Sequence, residues 1–207
     1  MKVLLINGSS HEKGCTYTAL CEVAGALERN GIQTEIFQIG AKPVRGCIGC
    51  GGCVQKGSCV FEDDILTKLS EKVKEADGYV FGSPVYYASP NGALLALMDR
   101  LFYSTGKHMC YKPAAAVCSA RRAGTTATLD VLNKYFTINQ MPVVSGRYWN
   151  DVFGSKSEDV MQDEEGRQNM RTLGNNMAWV LKNLEAGKNS AIAVPELEPQ
   201  IRTNFIR

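Results

Sequence analysis

Short apolar segments alternate along the chain with longer segments in which apolar residues recur at helical spacing. The first short segment ends at Gly8, and its length and composition are typical of a strand buried in a parallel sheet. We predict strands at residues 2–7, 33–39, 78–83, 113–119 and 141–145.

The longer segments predict helices, because their apolar residues fall on one face. The expected ranges are 16–30, 63–76, 90–103, 125–136 and 157–184. Asp63 and Asp64 are candidate N-terminal caps for the second helix. Gly166 and Gly174 are expected to break or weaken the last helix, because glycine lowers helix propensity.

The alternation of strands and helices predicts an α/β fold: an open parallel sheet with helices on both faces. The sequence shows no internal repeat and no linker that would divide the chain. In such a sheet a ligand binds beyond the carboxyl ends of the strands. The loops that follow strands are therefore the places to look for chemistry.

Composition narrows the class of protein. The 207 residues carry a net charge of +2, which gives no electrostatic reason to expect a nucleic acid or membrane partner. Apolar runs stay shorter than the roughly 18 residues that span a bilayer, and the start of the chain lacks the features of a signal peptide. A cytoplasmic protein is expected, in which the eight cysteines are reduced.

The first loop of interest is G-S-S-H-E-K-G-C-T-Y-T at 8–18, between the first strand and the first helix. Hydroxyls and main-chain amides at a helix N-terminus bind phosphate. The loop lacks the Walker A and G-x-G-x-x-G patterns, so a terminal monophosphate fits better than a triphosphate or a dinucleotide. A serine- and threonine-rich helix cap without a ligand is the alternative.

The second loop is G-S-P-V-Y-Y-A-S-P-N-G at 82–92. Pro84 stiffens it, and Tyr86 and Tyr87 offer flat surfaces against which a planar ring could lie. The alternative is that the tyrosines cover a sheet edge or a subunit contact.

The third loop is S-A-R-R-A-G-T-T at 119–126. Arg121 and Arg122 could place cationic donors near an anion, such as the pyrimidine end of a reduced flavin. Solvated arginines, or arginines paired with acids of a neighbouring subunit, are the alternative.

Four cysteines follow the pattern C-x2-C-x2-C-x5-C, at Cys47, Cys50, Cys53 and Cys59. Four thiolates on a glycine-rich backbone suit a [4Fe–4S] cluster in number and spacing. Tetrahedral zinc and a thiol-rich loop without metal are the alternatives.

Taken in order, these motifs resemble those of a known family. G-S-S-H-E-K-G-C-T resembles the phosphate loop G-S-P-R-x-x-G-N-T of NADPH-dependent FMN reductases, and residues 82–100 resemble their second flavin loop and the following helix. The cysteines resemble the compact motif of the iron-sulfur flavoproteins, a branch of that family. The resemblance covers about residues 1–150 and implies a flavodoxin-like fold, with five parallel strands in the order 2-1-3-4-5.

The resemblance also implies roles for individual residues. Those that would bind the FMN phosphate are Ser9, Ser10, Thr16, Tyr17 and Thr18. Those that would flank the ribityl chain and the ring are Pro84, Val85, Tyr86 and Tyr87, and those at the far side of the ring are Ser119, Arg121, Arg122 and Gly124.

Three positions differ from the family pattern or stand outside it. His11 and Cys15 replace the usual arginine and asparagine of the phosphate loop, which is expected to weaken phosphate binding. Trp149 lies in a stretch that looks specific to a subfamily. It would shape the substrate side of the flavin, or else be a core or interface residue.

These features together predict an FMN-dependent oxidoreductase that takes hydride from NAD(P)H. Its acceptor would be a small molecule such as a flavin, quinone, nitro or azo compound, reached directly or through the cluster. The alternatives are a non-catalytic electron carrier that exchanges electrons with ferredoxin-like partners, and a flavin-free interaction module. We expect a homodimer or homotetramer, with one domain at 1–186 that includes the cysteine-rich loop 45–60, and a C-terminal arm at 187–207.

Overall fold

The computed structural model describes residues 1–62 and 65–206. Its strands are β1 Lys2–Asn7, β2 Gln33–Gln38, β3 Gly78–Tyr86, β4 Ser89–Pro90, β5 Ala114–Ala120 and β6 Asp151–Phe153. Its α-helices are α1 Cys15–Arg29, α2 Gly52–Lys56, α3 Ile65–Glu75, α4 Gly92–Thr105, α5 Thr125–Ile138, α6 Ser157–Val160 and α7 Glu164–Asn189, and a 3-10 turn spans Gly106–His108. The predicted caps of α3, Asp63 and Asp64, lie outside the described residues.

The strands form one sheet in the order β2-β1-β3-β5-β6, and all neighbours on this path are parallel. The short β4 lies off this path and pairs antiparallel with the end of β3. The predicted class and strand order are therefore confirmed, and the fold is flavodoxin-like.

The fifth parallel strand is not where the sequence predicts it. Of the segment 141–145, only Val143 makes a bridge, to Ala114. Pro142 has no N–H to donate, and the chain turns away after one ladder position. The fifth strand is β6, in which only Val152 is both apolar and buried. A strand with a single buried apolar residue has no periodicity for a sequence pattern to reveal.

Helices cover both faces of the sheet, and alternate strand residues pack against each layer. Leu4 and Ile6 of β1 pack with α3, α4 and α5, whereas Val3 and Leu5 pack with α1 and α7. This is the pattern expected of strands that are buried on both faces.

Helix α7 differs from its prediction in where it begins. A short helix, α6, ends at Val160, and α7 then starts behind Asp163, whose carboxylate accepts from Gly166 N at 2.9 Å. Neither Gly166 nor Gly174 interrupts the helix. Gly174 allows a close helix contact instead, because a Cβ there would lie 2.6 Å from the Val23 carbonyl oxygen of α1.

Beyond α7, residues 190–206 contain no helix or strand. The division of the chain at residue 187 stays a prediction, since α7 itself continues to Asn189. Within the described ranges, no helix combines the length and the apolarity that crossing a membrane requires.

We predict that Gly174→Ala destabilises the protein although it improves helix propensity. The propensity gain is roughly 1 kcal/mol, and overpacking against α1 should cost about 1–3 kcal/mol. The matched control is Gly187→Ala in the same helix, where the new Cβ would come no closer than 3.7 Å to Ile192. Urea unfolding of both variants measures the difference, and equal stabilities would show that the α1–α7 contact is not tight.

Candidate functional site

A cavity of about 680 Å³ opens at the carboxyl ends of β1, β3, β5 and β6. Its volume is in the range of small-molecule and cofactor sites. The lining residues come from four separate loops: Ser9, His11, Lys13, Gly14, Cys15, Thr16, Pro84, Val85, Tyr86, Ser119, Ala120, Arg121, Gly154, Ser155, Lys156 and Ser157.

The first loop is held by two polar side chains at strand ends. Asn7 is fully buried, and its amide donates to the carbonyls of His11 and Glu12 and accepts from Ser9 N at 3.2 Å. Gln38, at the end of β2, donates to the Ser9 carbonyl at 2.6 Å. These bonds give main-chain groups of the loop their partners and fix its curvature. The sequence prediction did not include either residue; a polar residue at the end of the buried strand β1 is a signal for Asn7, and Gln38 ends a half-buried strand that has no such signal.

The N-terminus of α1 faces the cavity without a side-chain cap. Gly14 occupies the N-cap position and contributes no hydrogen-bonding side chain. The first amides of the helix are therefore left for a ligand, and they carry the positive end of the helix dipole. The Thr18 hydroxyl donates back to the Gly14 carbonyl at 3.2 Å.

The first and third loops meet through a pair of hydroxyls. Thr16 Oγ1 and Ser119 Oγ lie 2.8 Å apart, and both side chains are buried. A buried hydroxyl pair of this kind fixes both side chains, because breaking it would leave polar atoms unsatisfied. It joins the start of α1 to the end of β5.

The first and second loops meet through Asn91. Its side chain donates to the Gly8 carbonyl at 2.7 Å and accepts from Ala93 N at 3.0 Å, which caps α4. Its own N–H donates to Ser83 Oγ at 2.9 Å. One buried residue therefore connects the ends of β1 and β3 with the start of α4.

The second loop is shorter than the sequence suggests. Strand β3 continues to Tyr86, and a tight turn at Tyr87 and Ala88, with φ of 51° and 57°, leads into β4. Two successive positive φ values are typical of a type I′ hairpin turn. Gly124 supports this turn, since a Cβ there would lie 2.8 Å from Ala88 Cα.

The structure brings some of the predicted site residues to the cavity and leaves others outside its lining. Those that line it are Ser9, Thr16, Pro84, Val85, Tyr86, Ser119 and Arg121. Those that do not are Ser10, Tyr17, Thr18, Tyr87, Arg122 and Gly124.

Trp149 lies at a neighbouring cavity. Its ring contacts that of Tyr148, with centroids 4.7 Å apart, and both line a cavity of about 260 Å³ beside Asp151. Burial raises the pKa of the Asp151 carboxyl, and a hydrogen bond from Thr125 opposes that shift.

The sequence prediction missed the fourth loop, Gly154–Ser157. This loop follows β6, and Cys15 Sγ donates to the Gly154 carbonyl at 3.5 Å, which holds it beside the start of α1. Glycine, serine and lysine after a strand are the same signal that marks the first loop. The predicted last strand, at 141–145, lies ten residues before β6, so in the prediction no strand leads into this loop.

The electrostatics of the cavity suit an anion. Lys13, Arg121 and Lys156 contribute positive charge, and none of the described residues that line it is acidic. Burial raises the pKa of the Cys15 thiol, which keeps it protonated at neutral pH. The charge of the lining is therefore complementary to a negatively charged group. Uncapped amides, cationic side chains and adequate volume all fit FMN.

The four cysteines of the C-x2-C-x2-C-x5-C motif line a different cavity, of about 200 Å³, against α4. Cys47 and Cys50 are exposed, whereas Cys53 and Cys59 are half-buried. Arg100 of α4 also lines this cavity, and its Nε donates to Cys59 Sγ at 3.4 Å.

The number and type of these side chains bear on the kind of metal centre they suit. Among residues 1–62 and 65–206, no group of three or more His, Cys, Asp or Glu side chains is placed to hold a metal ion. Four thiolates are the ligand set of a [4Fe–4S] cluster and also of a structural zinc site.

A flavodoxin-like sheet with a cation-lined cavity at its carboxyl edge has the arrangement in which open α/β sheets bind their ligands. The family model described as NADPH-dependent FMN reductase matches residues 1–155. The chain belongs to this family, and it is an FMN-dependent oxidoreductase. The family resemblance found from the sequence motifs is thereby confirmed.

Individual relatives agree with this assignment. An iron-sulfur flavoprotein from Methanocaldococcus jannaschii is 34% identical over 190 residues, which cover 88% of this chain and 98% of the relative. RosB, solved with bound 8-demethyl-8-formylriboflavin-5'-phosphate, has a TM-score of 0.68 at 15% identity and covers 100% of this chain and 92% of its own. A flavodoxin from the domain Archaea has a TM-score of 0.61 at 15% identity, and the match covers 88% of this chain and 99% of the flavodoxin chain. The two structures show the fold alone.

We predict that Lys156→Met weakens FMN binding about tenfold, because it removes a charged partner for the phosphate. Riboflavin, which lacks the phosphate, should bind the variant and the original chain equally. Lys182→Met makes the same charge change on α7 and serves as the control. Fluorescence titration of the apoprotein measures the affinity of the original chain and of both variants for FMN and for riboflavin. If Lys156→Met lost as much affinity for riboflavin as for FMN, Lys156 would not bind the phosphate.

Proposed function

We propose that this chain holds FMN in the cavity at the carboxyl edge of the sheet and uses it to oxidise NAD(P)H and reduce a small acceptor. The observation that carries the proposal is the convergence of the uncapped α1 N-terminus with three cationic side chains in one cavity, which has no acidic residue among the described residues that line it. That combination selects a phosphorylated ligand over a neutral one.

Each side of the cavity would have its own task. The amides of α1, with Ser9 and Lys156, would bind the phosphate. Pro84 and Tyr86, on the rigid end of β3, would lie beside the ribityl chain and the ring. Arg121 would place positive charge at the other side of the ring, where it would stabilise the reduced state.

Bound FMN would supply the redox chemistry: it accepts a hydride from NAD(P)H and passes electrons to a flavin, quinone, nitro or azo compound. The protein would orient the ring, set its potential and leave one face open to substrates. No side chain is required as a general acid or base, and the proposed roles are those of binding and positioning.

We further propose that Cys47, Cys50, Cys53 and Cys59 hold a [4Fe–4S] cluster. Three observations support it: the four thiols line one cavity, a buried cationic side chain donates to one of them, and a relative that covers most of this chain is an iron-sulfur flavoprotein. Such a cluster would let the protein divide the two electrons of a hydride into single-electron steps.

The exposure of Cys47 and Cys50 favours a second candidate function. A cluster at the protein surface could exchange electrons directly with a ferredoxin-like partner. The chain would then be an electron carrier that reacts slowly with NAD(P)H. A homodimer or homotetramer remains our prediction for either function.

We predict that NADPH or NADH bleaches the flavin absorption band within the time of a stopped-flow experiment without air, and that a quinone or an azo dye restores it. Reduced ferredoxin is the comparison reagent. If ferredoxin reduces the flavin rapidly while both nicotinamide nucleotides act only over hours, the electron-carrier function replaces the reductase.

We predict that protein purified without air contains about four irons and four sulfides per chain. Cys47→Ser should lose most of the iron while FMN binding is retained, since the two cavities are separate. Cys110→Ser, outside the motif, is the matched control. Iron and sulfide analysis with a flavin assay is carried out on the original chain and on both variants. A flavin spectrum from an original chain without iron would contradict the cluster proposal and leave the reductase proposal intact.

A further inference from the structure

We propose that Arg100 is a positioning residue for the iron–sulfur cluster: it donates a hydrogen bond to the ligand Cys59, orients the cysteine loop and raises the reduction potential of the cluster. The inference rests on the proposed cluster function of the four cysteines.

Three hydrogen bonds of Arg100 reach the cysteine loop. The side chain is 2% exposed, although it lies in a loop-facing turn of α4. Its Nε donates to Cys59 Sγ at 3.4 Å, Nη1 to the Arg45 carbonyl at 3.3 Å and Nη2 to the Phe61 carbonyl at 3.2 Å. The two carbonyls lie at the two ends of the cysteine segment, so one guanidinium holds both ends.

The geometry requires an arginine. A guanidinium presents several N–H donors in a rigid planar fork, whereas a lysine ammonium is a point charge on a flexible stem. Only the fork can reach a sulfur and two carbonyls in different directions at once. The helix that carries Arg100 is fixed as well, because Asn91 caps the N-terminus of α4 and donates a hydrogen bond to the Gly8 carbonyl at the end of β1.

The positive charge of Arg100 would affect the cluster in addition to holding the loop. Four thiolates around a [4Fe–4S] core give the oxidised cluster a net negative charge, and the guanidinium of Arg100 lies beside one of these sulfurs. The cluster becomes more negative on reduction, so the buried cation favours the reduced form.

We expect the loss of Arg100 to change the reduction potential of the cluster and the retention of its iron. Hydrogen bonds to ligand sulfurs and nearby charge set the potentials of iron–sulfur clusters. Loss of a group that orients a metal ligand commonly lowers metal affinity by roughly ten- to a hundredfold. Arg100→Met should therefore lower the midpoint potential of the cluster and accelerate iron loss to a chelator by about tenfold or more.

The matched control is Arg45→Met. The Arg45 side chain stacks on the Phe61 ring, at 4.2 Å from its centroid, and no hydrogen bond from it to a cysteine is found among the described residues. Arg45→Met removes the same charge as Arg100→Met, from the cysteine loop itself. We expect its iron retention to stay near that of the original chain, whereas equal changes in both variants would show that charge alone matters and would overturn the hydrogen-bond role.

The experiment uses the full-length protein purified without air. Iron per chain, the rate of iron loss to a chelator and the midpoint potential from redox titration are measured for the original chain, Arg100→Met and Arg45→Met. FMN binding in each variant reports that the sheet is folded. Unchanged iron retention and potential in Arg100→Met would overturn the inference while leaving the cluster in place. If the original chain binds no iron, the cluster proposal fails, and this inference fails with it.

A measurement on the original chain covers the case in which Arg100→Met does not fold. Protein grown with arginine labelled with ¹⁵N only in the guanidino group is reduced and studied by pulsed electron paramagnetic resonance. A ¹⁵N coupling to the reduced cluster, present also in Arg45→Met, is expected. A cluster signal without any ¹⁵N coupling would show that the guanidinium does not contact the ligand sulfur.

Discussion

The hydrogen bonds of Asn91 are the interaction on which the arrangement of the site depends. A parallel sheet brings strand ends to one edge but does not fix the loops that follow them. Asn91 does so, because its largely buried side chain donates to the Gly8 carbonyl and accepts from Ala93 N. These bonds, with that from Asn91 N to Ser83 Oγ, connect the first loop, the end of β3 and the start of α4.

The same helix reaches the second candidate centre. Arg100 follows Asn91 by nine residues, or about 13 Å along an ideal α-helix. The cavity at the carboxyl edge of the sheet and the cavity of the four cysteines are thus both positioned by α4. A shift of α4 would disturb both, so its capped N-terminus matters for the cysteine loop as well as for the loops at the carboxyl edge.

Sequence patterns predicted those parts of the fold that depend on local periodicity. Strand β1 has the expected bounds because it is a continuous apolar run that ends at a glycine. Strand β6 was misplaced because its position depends on pairing with β5 and not on its own composition. The family motifs pointed to three of the four loops at the cavity. The fourth loop follows β6, and it was not predicted because β6 was not predicted.

The individual contacts of the site could not be predicted from local sequence, because they join residues that are far apart along the chain. Thr16 and Ser119 are both hydroxyl residues suited to binding phosphate, yet they pair with each other across 103 positions of the chain. Arg100 belongs to a helical segment, where an arginine usually faces solvent. Its burial follows from the loop that folds over α4, and local sequence contains no signal for that.

The packing of α7 has a consequence for where this protein can be cut. The family match ends at residue 155, but Met170, Leu173 and Met177 of α7 are fully buried in the layer that contains α1. A shortened chain that stopped where the family model ends would expose one side of α1, whose first turn lies at the cavity of the carboxyl edge. The segment matched by the family model is thus smaller than the segment that must fold together, whereas the relative from Methanocaldococcus jannaschii matches 88% of the chain.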